Sequence, residues 1–290
     1  MAQPSRYPRQ WRWPGEAKIA FSVAIAFEAF ELRSQYGIYS EPGKPDYFSL
    51  SYGDYGWKSG AWRLLDLMDA HGLKFSMTTN GLAAERHPEV VRAAAQAGHE
   101  IVGHGWANDH FSAKDSDPEQ ERDEIRRCTR VLTEAAGGAR PVGWTSPGSS
   151  GSANTFDFLR AEGYLWNGDD ASDDLPFLRP TPSGPIVMMP RTNLPHSDLI
   201  MWWAPRNPPH IVWEGFKATF DQLYAEGVAG SPKWIEISLH CHFGGRPTLT
   251  PTLHQCFDYV KRHDAVWYAR KRDIAEWTLE HEGAAPGGSR

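Results

Sequence analysis

The chain predicts a single (β/α) barrel. Short apolar or alternating runs alternate with helical segments about seven times, the signature of a parallel sheet with crossover helices. No internal repeat or low-complexity linker divides the 290 residues, a length that α/β barrels use as one unit. No strand is followed by G-x-G-x-x-G or a P-loop, which weakens the competing doubly wound sheet.

After a polar, Pro- and Arg-rich lead, residues 1–14, the run Lys18 to Phe27 (KIAFSVAIAF) is almost continuously apolar and reads as a strand buried on both faces. The Gly- and Tyr-rich stretch to Trp57 is too long for an ordinary connection and reads as a functional loop. Trp62, Leu65 and Met68 give Gly60 to Ala70 helical spacing, ended by His71-Gly72. Leu73 to Thr79 is a strand, and Pro88 opens a helix that ends at Gly98. Glu100 to Gly103 is the third strand. Asp117 caps the next helix, with Gln120 three residues on and Ile125, Cys128, Val131 and Leu132 as its apolar stripe. Strands follow at 141–145, 164–167 and 186–189, with a helix at 154–162. A long helix at 212–225 precedes the alternating strand Trp234 to His240. A helix at 251–262, a strand at 266–268 and a helix at 273–279 lead into a Gly/Ala-rich tail, 281–290, read as flexible. The whole chain is thus one catalytic domain with two short ends.

Composition narrows the function. A formal charge of −6 leaves no basic footprint, so nucleic acid and acidic membranes are not expected partners. Three scattered cysteines, Cys128, Cys241 and Cys256, form neither a disulfide framework nor a CxxC zinc site. The polar lead is no secretory signal, and no stretch reaches the ~20 apolar residues of a membrane span. A cytoplasmic enzyme with a small-molecule substrate is the expectation. Thirteen Trp residues fit core packing first, and pocket walls or subunit contacts second.

Sites in βα folds form where loops leave the C-terminal ends of the strands. The residues ending the predicted strands are Glu28, His104, the Trp144-Thr145-Ser146 run, Asn167 with Asp169-Asp170, and His240 with His242. Singly each is ordinary, and Glu28 could be a surface loop carboxylate; together they are hard to explain as packing. His99 precedes its strand and belongs at the opposite end, while His71, His87, His254 and His263 sit on helices and read as solvated or capping groups. Asp173-Asp174-Leu-Pro also suits a plain turn.

These residues carry a resemblance. Glu28, then G-H-E-I-V-G-H-G at Gly98 to Gly105, G-W-x-S-P at Gly143 to Pro147, D-D-L-P at Asp173 to Pro176 and S-L-H at Ser238 to His240 occur in an order that resembles the polysaccharide deacetylase superfamily, carbohydrate esterase family 4 in the wide sense. G-G-R-P at Gly244 to Pro247 and V-W-Y-A-R at Val266 to Arg270 resemble its branch of cofactor-independent allantoinases and cyclic imide hydrolases. The resemblance spans about residues 14 to 280. It implies a distorted barrel of seven to eight parallel strands, a general base after the first strand, a metal triad, and a late strand-end histidine as general acid. Glu28 falls at the base, His104 at the first metal histidine and His240 at the acid. The neighbouring ligand positions hold Ala29 and Asn108, and the usual arginine after the fourth strand is replaced by Ser146-Pro147-Gly148. Zinc wants three charged or imidazole ligands and an open position. The expectation is therefore no cofactor, with a zinc or other divalent site built from Glu28, His104, Asp109 and His110 as the alternative. The branch also implies a homodimer or homotetramer.

The expected activity is hydrolysis of a non-peptide amide bond in a small cyclic amide, imide or ureide. Glu28, its pKa raised by burial, would activate water; His240 would protonate the leaving nitrogen; His104 would polarise the carbonyl. Trp144, Asn108, Asp169, Asp170 and His242 are the expected substrate contacts, with Trp166 and the 36–55 loop as flat walls. The alternatives are an N-deacetylase of amino sugars or glycans, and a barrel that only binds a ligand. An extended groove would favour glycans; a small closed pocket would favour the ring substrate.

Overall fold

The computed structural model describes residues 9–36, 41, 43–111, 117–192 and 197–282. Nine strands form one curled sheet: β1 Ile19–Phe27, β2 Ser76–Thr79, β3 Glu100–Gly103, β4 Gly143–Trp144, β5 Trp166–Asp170, β6 Phe177–Arg179, β7 Ile186–Pro190, β8 Lys233–His240 and β9 Val266–Tyr268. Their order is β6-β7-β5-β4-β3-β2-β1-β8, and β9 joins β1. Every pairing is parallel except that of β6 with β7. Since β8 pairs with Ile19 through Ala26 along one edge of β1, β2 and β9 share the other, β9 at Ile19–Phe21 and β2 at Ala24–Phe27. All nine residues of β1 are buried, which is why its sequence is apolar without alternation. The barrel stays open at one seam. No ladder joins β7 to β8 among the described residues; instead the Glu236 amide donates to Thr192 Oγ1 at 3.1 Å.

The helices are α1 Tyr47–Tyr55, α2 Ala61–His71, α3 Gly81–Arg86, α4 Pro88–Gln96, α5 Pro118–Ala135, α6 Thr155–Ala161, α7 His210–Val228, α8 Thr250–Val260 and α9 Lys271–Glu282. They cover the sheet's outer face, burying Leu64, Leu67 and Met68 of α2, Ile125 and Leu132 of α5, and Phe216 and Phe220 of α7 in one apolar layer. Helix α2 ends as the sequence indicates, with Gly72 at φ +61° and its amide on the Asp69 carbonyl. Asp117 caps α5 by accepting from the Glu119 amide.

Four elements escape the sequence reading. The stretch to Trp57 is not simply a loop: Asp46 accepts from the Ser49 amide and starts α1, which continues through a π-helical turn, Gly56–Gly60, into α2. Gly60 allows this run to press on the end of β8, since a Cβ there would lie 1.8 Å from the Cys241 carbonyl oxygen. Helix α3 is one short turn fixed by tertiary hydrogen bonds, from the Gly81 and Leu82 amides to the Gly105 and Trp106 carbonyls. The other two are β6, a three-residue edge strand, and the π-helical turn Asp198–Trp203. The polar lead is also more than an extension. Trp11 and Trp13 are buried across the barrel's N-terminal end, with Trp13 Nε1 donating to the Lys233 carbonyl. Residues 1–8 and 283–290 lie outside the described residues, and α9 takes the first two residues of the expected tail.

Register brings the strand ends level. Phe27 pairs with Thr79, Thr79 with Gly103, Gly103 with Trp144, and Trp144 with Asn167. Glu28, Asn80, His104 and Thr145 are each the next residue, so they meet on one rim. His240 pairs with Ala26 and stands just below that rim.

Candidate active site

Glu28 is the centre of the rim. Its side chain is 3% exposed, and Oε1 lies 3.5 Å from His104 Nε2 and 3.7 Å from His240 Nε2. Oε2 accepts a hydrogen bond from Gln35 Nε2 at 2.9 Å and lies 4.0 Å from His242 Nε2. Burial alone would raise the Glu28 pKa, as the sequence reading expects. The opposite holds: His240, a hydrogen bond from His104, and the nearby His242 together pull it down to about 2. Glu28 is therefore ionised throughout the neutral range.

The three imidazoles are held differently. His240 Nδ1 donates to Asp198 Oδ1 at 2.7 Å, and its backbone amide donates to Asp198 Oδ2 at 2.6 Å. Asp198 is fully buried. Burial disfavours the imidazolium, but Asp198 and Glu28 outweigh it and raise the His240 pKa to about 9. His104 Nδ1 is held by the Thr145 carbonyl, which aims Nε2 at Glu28. His242 is fully buried against Phe30 and Phe243. An ionised Glu28 can only accept, so the Gln35 amide must donate to it and offer its oxygen to His242 Nε2, 3.0 Å away. This fixes the proton on Nε2. Burial lowers the His242 pKa to about 4, leaving a neutral ring.

A cavity of about 260 Å³ opens over this cluster and runs down inside the barrel. Its upper wall carries Phe111, Leu199 and Ile200, and its depth comes from small residues, Ala24, Ala26, Thr78 and Ser238, where barrels of this kind usually pack bulky side chains. At the bottom Glu236 Oε2 meets Lys271 Nζ at 2.9 Å. Two buried polar atoms of lining residues have no hydrogen-bond partner among the described residues, Asn108 Oδ1 and Thr145 Oγ1.

Glu28, His104, His240 and Asn108 thus come together on one cavity, whereas His242, an expected contact, does not line it and packs against Phe30 and Phe243. Other expected contacts do not reach it. Trp144 is buried edge-on against Tyr164, and its Nε1 donates to Ser146 Oγ, because β4 turns it into the core. Trp166 is likewise internal, donating to Glu100 Oε1 at 3.1 Å. Asp169 accepts from the Ser146 amide and from Asn167 Nδ2, so it shapes the loop behind the cavity. Asp170 closes its own turn through Ser172. From the 36–55 stretch, residues 37–40 and 42 lie outside the described residues; Tyr36 and Tyr52 stack on each other, 4.4 Å apart. The wall residue from that region is Gln35, which the sequence reading passes over. It passes over Asp198 too, although an acid opening an apolar run (DLIMWW) shortly after a strand end is a readable sign.

The alternative metal set does not assemble. Asp109 spends both oxygens on the Glu31, Leu32 and Arg33 amides, and the exposed His110 pairs with Glu31 at 3.0 Å. With Ala29 and Asn108 beside Glu28 and His104, no three of the described His, Cys, Asp and Glu residues are arranged to hold an ion. The donor set does not fit a resident zinc.

Comparisons with known proteins agree with this architecture. A family model described as "Polysaccharide deacetylase" matches residues 41–165. The chain is 32% identical to a "probable Polysaccharide deacetylase" from Pseudomonas aeruginosa PAO1, with a TM-score of 0.85 over 95% of this chain and 96% of that one. It is also 32% identical to the crystallised PuuE allantoinase, with a TM-score of 0.85 over 98% of this chain and 96% of that one. A Schizosaccharomyces pombe protein, provisionally named a polysaccharide deacetylase, is 26% identical over 307 residues, 93% of each chain.

Proposed function

This chain belongs to the polysaccharide deacetylase family and is a hydrolase of carbon–nitrogen bonds other than peptide bonds, and from that premise we propose that its substrate is a small cyclic amide, imide or ureide. The cavity carries this reading. It is a cavity of about 260 Å³ that runs into the barrel, a size that suits one small ring. The likeness to an allantoinase along nearly the whole chain supports the same substrate class.

The chemistry follows from the protonation states. Water in the cavity gives a proton to Glu28 Oε1 as its oxygen adds to the carbonyl carbon. His240, protonated at neutral pH and steadied by Asp198, gives its Nε2 proton to the ring nitrogen as the C–N bond breaks. The ring opens to a carboxylic acid, which releases its proton to solvent, and a protonated leaving nitrogen; the proton held by Glu28 passes to His240 and restores the pair. Asp198 holds the imidazolium and fixes its direction. His104 and Gln35 position the Glu28 carboxylate from either side.

The test is turnover of hydantoins, dihydropyrimidines, succinimides and N-acetylglucosamine oligomers by wild type and Glu28→Gln. Cyclic substrates should dominate, and the variant should lose about 10² to 10⁴-fold in kcat with little change in KM. Faster deacetylation of the sugars, or near-full activity of the variant, would overturn the reading.

A further inference from the structure

The cavity contains a cation that the reaction above does not use. Arg191 directly follows β7, and its neighbour Thr192 accepts from the Glu236 amide across the open seam. Arg191 therefore stands beside the middle of β8, and it lines the cavity together with Glu236, Ser238 and His240. Its backbone amide donates to the Asp170 carbonyl. Its guanidinium has no hydrogen bond or ion pair to any described residue, although its charge is felt at His240.

The carboxylates of the cavity are already engaged. Asp198 uses both oxygens on His240. Glu236 is paired with Lys271, and Glu28 is held by Gln35 and the histidines. A half-buried guanidinium without a counter-ion is electrostatically unfavourable, and a planar carboxylate is the partner its fork fits best. Among the described lining residues Phe111, Leu199 and Ile200 offer no competing anion, and Asp173 and Asp174 of the second cleft that Arg191 borders form no ion pair with it.

We propose that Arg191 binds a carboxylate carried by the substrate, so that the ring compound this protein opens is an anion. This rests on the ring-substrate reading above and narrows it. Neutral rings of the same size would fill the cavity but leave the guanidinium unpaired.

The probes are two pairs of rings that differ only by a carboxylate: orotate and uracil as ligands, dihydroorotate and dihydrouracil as substrates. Full-length wild type should bind orotate about 10- to 100-fold more tightly than uracil in calorimetric titration, since a charge-assisted bidentate pair outweighs a neutral contact. Arg191→Met, checked for an unchanged melting temperature, should lose that preference, and Arg191→Lys should keep part of it. Equal binding of the two ligands by wild type, no orotate binding, or a preference that survives in Arg191→Met would each overturn the proposal. Turnover separates the two levels. Equal kcat/KM for dihydroorotate and dihydrouracil removes the anchor and leaves ring opening intact, whereas hydrolysis of N-acetyl sugars alone removes the ring-substrate reading itself. If Arg191→Met slows both ring substrates alike through kcat, the guanidinium serves the carboxylate formed on ring opening, and the substrate anchor is refuted.

Discussion

Replacing Asp198 by Asn tests the acid half of the mechanism at one atom. Asp198 is fully buried, and its two oxygens take the Nδ1 proton and the backbone amide of His240. Asn retains one acceptor and turns a donor toward the other N–H, so the substitution removes a charge and one hydrogen bond. A unit charge at roughly 4 Å in an effective dielectric of ~20 is worth ~4 kcal/mol, or about 3 pKa units. That is enough to bring the His240 pKa from about 9 down to or below the ordinary imidazole value. A general acid must be protonated to act, so activity is lost as pH rises through this pKa. In wild type the alkaline limb of kcat/KM should lie near pH 9. In Asp198→Asn it should move down by about 2 to 3 pH units, leaving rates at pH 8 lower by roughly 10- to 10²-fold. The assay is kcat/KM against pH with a ring amide and with an imide. The imide has a weakly basic leaving nitrogen and should lose less. An alkaline limb that stays in place would refute His240 as the acid, or Asp198 as the group that sets its pKa.

Exhaustive chelation should leave activity intact, because Ala29 and Asn108 stand beside Glu28 and His104 while Asp109 and His110 are engaged elsewhere; loss of turnover restored by zinc, with stoichiometric metal in the protein, would show the opposite. Stability should decline as pH falls from 6.5 toward 4, since His242 is kept neutral in the fold to about pH 4 while the unfolded chain takes up a proton across that window. His242→Asn should flatten the fall in melting temperature over the same range, and an unchanged slope would contradict the assignment. Gly60→Ala places a Cβ 1.8 Å from the Cys241 carbonyl oxygen and should cost about 3 kcal/mol or more, because backbone is in the way and not a movable side chain. A melting temperature equal to wild type would mean that the Gly56–Gly60 turn can shift off β8.

Much of this was legible before any coordinate. The apolar run of β1, the alternation of β8 and the stops at Gly72 and Gly98 are local signals, and period and punctuation suffice to read them. In a parallel sheet the residue after each strand goes to one rim whatever the precise register, so Glu28, His104 and His240 could be named from their place in the chain. The same rule overreached at Trp144 and Asp169. Which way a side chain turns from a two-residue strand such as β4 depends on its neighbours, and there the core claimed the indole.

Tertiary structure alone decided the electrostatics. Burial of Glu28 was foreseeable, but the sign of its pKa shift depends on three imidazoles from β3 and the end of β8 gathering within about 4 Å, and Coulomb energy follows distance in space, not in sequence. Gln35 and Arg191 were invisible for the same reason, and the local sign at Asp198 could not name its partner. Gln35 gained its place through Glu28, Asp198 through His240, and Arg191 where Thr192 meets β8 across the open seam. The chain order of the residues carried the kind of chemistry; the curl of the barrel set the protonation states and left Arg191 on the cavity wall with no partner among the described residues.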